Sequence, residues 1–142
     1  METESLKVAS VMKTSLLMVS GLESVRGAMR RMKEHNVSSL IIERRDSNDE
    51  YGMVTVEDIA GKVIARNRST TRTSVYEVMT KPTLTLNAGM NVKYAIRLLA
   101  RLGLSRALVV GDEGVLGLVT QRDLVLGHQE AGEPKEADES PE

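Results

Sequence analysis

A chain of 142 residues with 41% hydrophobic content suits one domain, or two small halves sharing a core. Nineteen basic against 20 acidic residues leave a formal charge of -1, so no bulk field steers the chain toward nucleic acid or a membrane. The absence of cysteine removes disulfides, thiolate catalysis and Cys-based zinc sites. Three Tyr with no Phe or Trp supply few platforms for stacking bases, so nucleic-acid binding starts at a disadvantage.

Residues 1–7 form a polar N-terminal extension with neither a basic stretch nor an apolar core, and no apolar run reaches the roughly 18 residues of a membrane helix. The chain reads as soluble, not exported and cytoplasmic. A first strand is predicted in SLLMVS (15–20), then a helix with Leu22, Val25, Met29 and Met32 on one face at spacings of three and four. Two short strands follow, SSLIIE (38–43) and YGMVTV (51–56), separated by a polar turn, and then a helix in EDIAGKVIAR. After the polar residues 67–74 the same order returns. PTLTLN is strand-like, Val92, Ile96, Leu99 and Leu102 mark a helix, SRALVV and VLGLVT are strands, and RDLVLGHQ is a last helix.

The second half repeats the first. A shift of 67 residues aligns Val11-Met12 with Val78-Met79, Val25 with Val92 and Ser38 with Ser105, and the shift drops to 65 across the polar turn. The expected organisation is therefore an extension (1–7), a first repeat (8–66), a linker (67–74), a second repeat (75–128) and a tail (129–142). The tail carries six acidic residues against one Lys and lacks the large apolar residues that would offset ordering entropy, which predicts disorder or at most an interaction tail. The fold class is α+β, two βαββα repeats packed by their sheets into a pseudo-twofold pair, because a three-stranded sheet with two helices leaves one face to cover.

Each repeat ends its last strand in the same phrase, Gly52-x-Val-Thr55-x-x-Asp58 and Gly117-x-Val-Thr120-x-x-Asp123. Thr-x-x-Asp before a helix fits a capping box, which needs no ligand. The same groups can also grip a nucleotide. A helix N-terminus with a hydroxyl suits phosphate, a carboxylate accepts both hydrogens of a ribose diol, and a strand glycine marks close approach to the backbone.

The tandem βαββα repeat, opening with Val-Met and closing with Gly-x-Val-Thr-x-x-Asp twice, resembles a pair of CBS domains, the regulatory module named after cystathionine β-synthase, over residues 8 to about 128. The resemblance implies a Bateman module whose clefts between repeats bind AMP, ADP, ATP or S-adenosylmethionine as regulatory ligands, with no cofactor required. By that resemblance, Thr120 and Thr55 lie near the phosphate, and Asp123 and Asp58 hold the ribose. Gly117 and Gly52 complete the two motifs. The purine is framed through backbone contacts at the first strand by Thr85-Leu86 in one copy and by Met18-Val19 in the other. Met18-Val19 departs from the family's Thr-Val pattern, which ranks the Asp123 site first. Arg122 and Arg106 are the leading phosphate cations, ahead of Lys13 and Lys81, with a solvated surface charge as the alternative for each. The family also implies a homodimer and an unidentified regulated partner.

His35 and His128 read as surface or capping residues, and the eight Met as core filler. Leu98 beside Ile96, Leu99 and Leu102 widens the apolar face of its helix, by a dimer contact or by deeper burial. Three classes of function are thus weighed. The first is a stand-alone adenine-nucleotide sensor in energy sensing, signalling through a partner. The second is a structural dimerisation module without a ligand. The third, an enzyme, lacks any P-loop, G-x-S-x-G or acid-base cluster.

Overall fold

A computed structural model describes residues 6–131. The chain is α+β, with two three-stranded sheets and four α-helices among the described residues. Its elements are β1 (Met18–Val19), α1 (Val25–His35), β2 (Ser39–Ile42), β3 (Gly52–Thr55), α2 (Val56–Ile59), β4 (Thr85–Asn87), α3 (Val92–Leu102), β5 (Arg106–Gly111), β6 (Gly114–Thr120) and α4 (Gln121–Ala131). In each sheet the first strand pairs parallel to the second, and the second antiparallel to the third.

Two compact units result, and they are not the two sequence repeats. One contains residues 16–83 and the other residues 6–15 with 84–131. Each therefore takes in the short segment that precedes the other copy's first strand. In the unit of residues 16–83, Thr73 O accepts from Val25 N–H, while Val75 N–H donates to Glu23 O and Tyr76 N–H to Gly21 O. Shifted by 67 residues, the same three bonds recur in the other unit. Leu6 O accepts from Val92 N–H, Val8 N–H donates to Met90 O and Ala9 N–H to Ala88 O. Each segment then lies antiparallel beside the last strand of its unit, through Thr80 with Met53 and through Lys13 with Leu118.

Apolar spacing explains why the segments are held. Val75 and Val78 are buried with Val25, Leu40, Ile42 and Val54, and Val8 is buried with Leu86, Leu99, Val109 and Val119. Burial of one such side chain contributes about 1.5–3 kcal/mol. The long helices begin and end on matching devices. Ser24 Oγ accepts from Gly27 N–H and Asn91 Oδ1 from Lys93 N–H, and Asn36 and Gly103 close the C-termini at φ 54 and 68.

Several expectations are corrected. Leu22 precedes α1 and is 80% exposed, so the buried stripe is Val25, Ala28 and Met32. Leu102 is half exposed, whereas Leu98 packs on its own unit's core, which accounts for the breadth of α3. The helix expected over EDIAGKVIAR is a single α turn continued by a π turn over Ala60–Ile64, closed by Ala65 N–H donating to Ala60 O. The linker, of which the sequence foretold only polarity, supplies Thr70 O and Thr73 O as acceptors for Arg26 N–H and Val25 N–H at the start of α1. Finally, α4 continues to Ala131, three residues into the stretch expected to be a disordered tail. Residues 132–142 of that tail, and residues 1–5 of the extension, lie outside the described residues.

Candidate functional site

At the junction of β6 and α4 the strand's hydrogen bonding stops and four helix amides need acceptors. Thr120 and Asp123 meet that need reciprocally. Asp123 N–H donates to Thr120 Oγ1 and Thr120 N–H donates to Asp123 Oδ2, both at 3.0 Å. The other carboxylate oxygen, Oδ1, accepts from Lys13 Nζ at 2.8 Å. Burial pushes the Asp123 carboxyl up. The Lys13 ammonium and the Thr120 amide and hydroxyl together outweigh burial and hold it below the usual aspartate value. The aspartate is thus a fixed anion, 14% exposed, with a cation beside it that is itself 60% exposed.

Arg106 opens β5 directly opposite Thr120, in the position of a cross-strand neighbour on the same face. Arg122, one residue before Asp123, is exposed on α4. The cation that meets the carboxylate is Lys13, one of the four basic residues weighed as phosphate cations. The signal for it was its place directly after the Val-Met phrase. Thr85 and Leu86 stand on β4, on the far side of β5 from β6. At about 4.8 Å between strands, that is roughly 10 Å across the sheet from the motif. Thr85 is exposed, and Leu86 is buried in the core, so its side chain offers nothing to a ligand.

The first motif has the same box. Asp58 N–H donates to Thr55 Oγ1 and Thr55 N–H to Asp58 Oδ2, both at 3.0 Å. Its lysine comes from elsewhere. Lys62, one turn along from Asp58, approaches Asp58 Oδ1 at 3.2 Å and donates to Val78 O at 3.0 Å. Sequence spacing of four carried that signal. Met18 and Val19 stand on β1, again two strands from the motif, with Met18 38% exposed and Val19 in the core.

The motif glycines have a structural cause. A Cβ on Gly117 would lie 2.6 Å from Lys13 O and 2.7 Å from Met12 Sδ, and one on Gly52 would lie 2.8 Å from Met79 Sδ and 3.3 Å from Thr80 O. The group that comes close to the strand on this side is the chain's own Val-Met segment. Lys81 lies on that segment's continuation and pairs with Asp49 at 2.8 Å, away from Asp58. Among the described residues no three His, Asp or Glu are grouped to hold a metal, and His35 is exposed at the end of α1. Likewise among them, no helix is long and apolar enough to cross a membrane.

Two copies of one strand-to-helix cap on one repeated sheet are also what a family comparison finds. The CBS domain profile matches residues 8–65 and 75–127. The chain belongs to the CBS-domain family. Among solved CBS proteins, a hexameric CBS-CP12 protein from bloom-forming cyanobacteria is 31% identical, with a TM-score of 0.87 over 94% of this chain and 78% of that one. The CBS domain pair of protein MJ0100, solved with 5′-methylthioadenosine and S-adenosyl-L-methionine, shares the fold at a TM-score of 0.76 and 23% identity, covering 90% of this chain and 99% of that one. Among curated relatives, the mitochondrial CBS domain-containing protein CBSX3 of Arabidopsis thaliana is 27% identical over 86% of this chain. An uncharacterized Methanopyrus kandleri protein, MK0525, is 25% identical over 85%. The chain spans 64% and 62% of the lengths of those two relatives.

Proposed function

We propose that this CBS-domain chain is a regulatory module, not an enzyme, that binds adenosine-containing ligands such as AMP, ADP, ATP or S-adenosylmethionine and signals to a separate partner protein. The observation that carries the reading is Asp123. Its Oδ2 is fixed by a backbone amide, while Oδ1 meets the solvent-facing Lys13, and an ionised carboxylate can accept further hydrogen bonds from a ribose diol. Lys13 then supplies a cation for phosphate without any new charge being buried, and Arg106 stands beside Thr120. The adenosine derivatives in the MJ0100 pair support the ligand class. The hexameric relative supports self-association, with a homodimer as the simplest form. A signal requires the ligand to favour one arrangement of the module over another.

Calorimetric titration of the protein with AMP, ADP, ATP, S-adenosylmethionine and NAD tests this. Saturable binding of an adenosine compound is expected, with Asp123→Ala weakening it by roughly tenfold to a hundredfold and Asp58→Ala by less. Equal losses overturn the ranking of the two sites. A second reading, a structural dimerisation module, draws on the completed capping boxes and on an apolar groove of about 380 Å3 along α1 and α2, where Val56 and Ile64 stand half exposed. Silence across the panel from folded protein, together with a dimer by light scattering, establishes that reading instead.

A further inference from the structure

A cavity in the unit of residues 16–83 lies away from its Thr-x-x-Asp motif. It has a volume of about 640 Å3 and lies at the carboxyl ends of β1 and β2, where Ser20, Gly21 and Leu22 leave the sheet beside Glu43, Arg44 and Arg45. Ile42 pairs with Gly52 and Ser39 with Thr55, so the cavity and the motif occupy opposite ends of the same antiparallel pair. At about 3.4 Å per residue they are roughly 10 Å apart along the strands. The volume falls within the roughly 300–1,000 Å3 that small-molecule sites occupy.

Its walls combine fixed cations with an apolar surface. Asp49, with only 9% of its side chain exposed, accepts from Arg45 N–H at 2.9 Å, from Arg45 Nε at 3.1 Å and from Lys81 Nζ at 2.8 Å. The Lys81 ammonium and the Arg45 amide and guanidinium hold the Asp49 carboxyl far below the usual aspartate range, so it stays an anion that anchors both cations. Arg44 is set by another device, its guanidinium carbon 4.9 Å from the centre of the Tyr51 ring. Arg44, Arg45 and Lys81 line the cavity with Glu43 as the one carboxylate on its wall, while Asp49 pairs with two of the cations and Asp46 stands near Arg44 and Arg45. Arg45 remains 83% exposed despite its anchor, so its remaining guanidinium donors face solvent.

On the apolar side the backbone is held by hydrogen bonds. Tyr76 N–H donates to Gly21 O at 3.0 Å, and the absence of a side chain on Gly21 lets the Tyr76 backbone press against it, since a Cβ there would lie 3.3 Å from Tyr76 Cβ. The Tyr76 side chain is half exposed and Leu22 is 80% exposed, both on the cavity wall. Ser20 Oγ accepts from Leu22 N–H and keeps its own hydrogen to donate. Of the three tyrosines in the chain, one lines this cavity and a second orients one of its arginines.

We propose that this cavity is a second binding site, separate from the nucleotide motif, for a small organic anion with an apolar ring or chain and a single phosphate or carboxylate headgroup. The headgroup lies among Arg44, Arg45 and Lys81, and the apolar body lies on Tyr76 and Leu22. Cations held in advance by Asp49 and Tyr51 lose little freedom on binding, which favours affinity for so small a ligand.

The probe is 8-anilinonaphthalene-1-sulfonate, an aromatic anion whose fluorescence rises on binding, titrated into the full chain. Saturable binding at one site is expected, with Arg45→Gln and Tyr76→Ala each weakening it about tenfold or more and Asp123→Ala leaving it unchanged. Phenyl phosphate and benzoate, added as competitors, identify the headgroup by which displaces the probe at lower concentration. Circular dichroism melts establish that the variants are folded, and Arg44→Gln serves if Tyr76→Ala is not. Absence of saturable binding overturns the proposal. So does binding insensitive to the arginine variants, or displacement by neutral benzyl alcohol as effective as by phenyl phosphate.

Discussion

The two Thr-x-x-Asp boxes have the same hydrogen-bond lengths and differ in where their lysine comes from. Asp123 draws Lys13 from a segment 110 residues earlier in the chain, and Asp58 draws Lys62 from its own helical turn. At the position aligned with Lys62 the second copy has Gly127, where any side chain would strike Val11. Packing of the inserted segment thus excludes a lysine there and delivers one from the segment itself. Lys62 is also tied to Val78 O, whereas Lys13 Nζ meets the Asp123 carboxylate from a side chain that is 60% exposed. The same capping chemistry therefore leaves one carboxylate beside a cation that can swing to a ligand, and the other beside a cation already held.

The largest effect expected from changing either motif is steric. Gly117→Ala forces a methyl against the Lys13 carbonyl and should cost about 1–3 kcal/mol in urea denaturation. Gly52→Ala should cost less, because its nearest obstacle is the flexible Met79 thioether. Equal losses would remove the distinction between the two segments. A smaller effect comes from the lysines. Lys13→Met should lower stability by roughly 0.2–1 kcal/mol, the range for an ion pair with so exposed a partner, while weakening AMP more than adenosine. Because folding lowers the Asp123 pKa, its stabilisation is complete above the unfolded value of about 3.9 and is lost as pH falls through the lower folded value. The stability difference between the wild type and Lys13→Met should therefore be smaller at pH 3 than at pH 7 in urea denaturation. An effect of similar size and opposite sign is expected at Gly61, where a Cβ meets nothing within 4 Å. Gly61→Ala should raise stability by about 0.4–1 kcal/mol, read as a higher melting temperature.

Much of this was legible in the residues. The repeat, the strand-to-helix junctions and both capping boxes follow from local spacing, and local spacing governs hydrogen bonds three residues apart. Pairings between distant segments were not legible in the same way. Apolar spacing marks Val8 and Val75 as residues to be buried without naming the sheet that buries them. Lys13 and Arg122 look equally available to Asp123 in sequence, and only the antiparallel seating of Lys13 beside Leu118 decides between them. Leu22 and Leu102 fit the helical period and still face solvent, because α1 begins after one and α3 ends at the other. The π turn after α2 replaced an expected α-helix, since period and propensity do not distinguish a bond four residues back from one five back.

The exchange of the two Val-Met segments also sets an order of assembly during synthesis. The unit of residues 16–83 is contiguous and has all its strands once Thr83 has left the ribosome. The other unit includes residues 6–15, which find their first partners only at Ala88, Met90 and Val92 and cannot pair along β6 until Leu118, some 105 residues after Lys13. A loop of that length is slow to close, so the unit carrying Asp123 should mature last, and a chain halted after the first repeat should present the Val8-to-Lys13 stretch as an unpaired edge open to proteolysis.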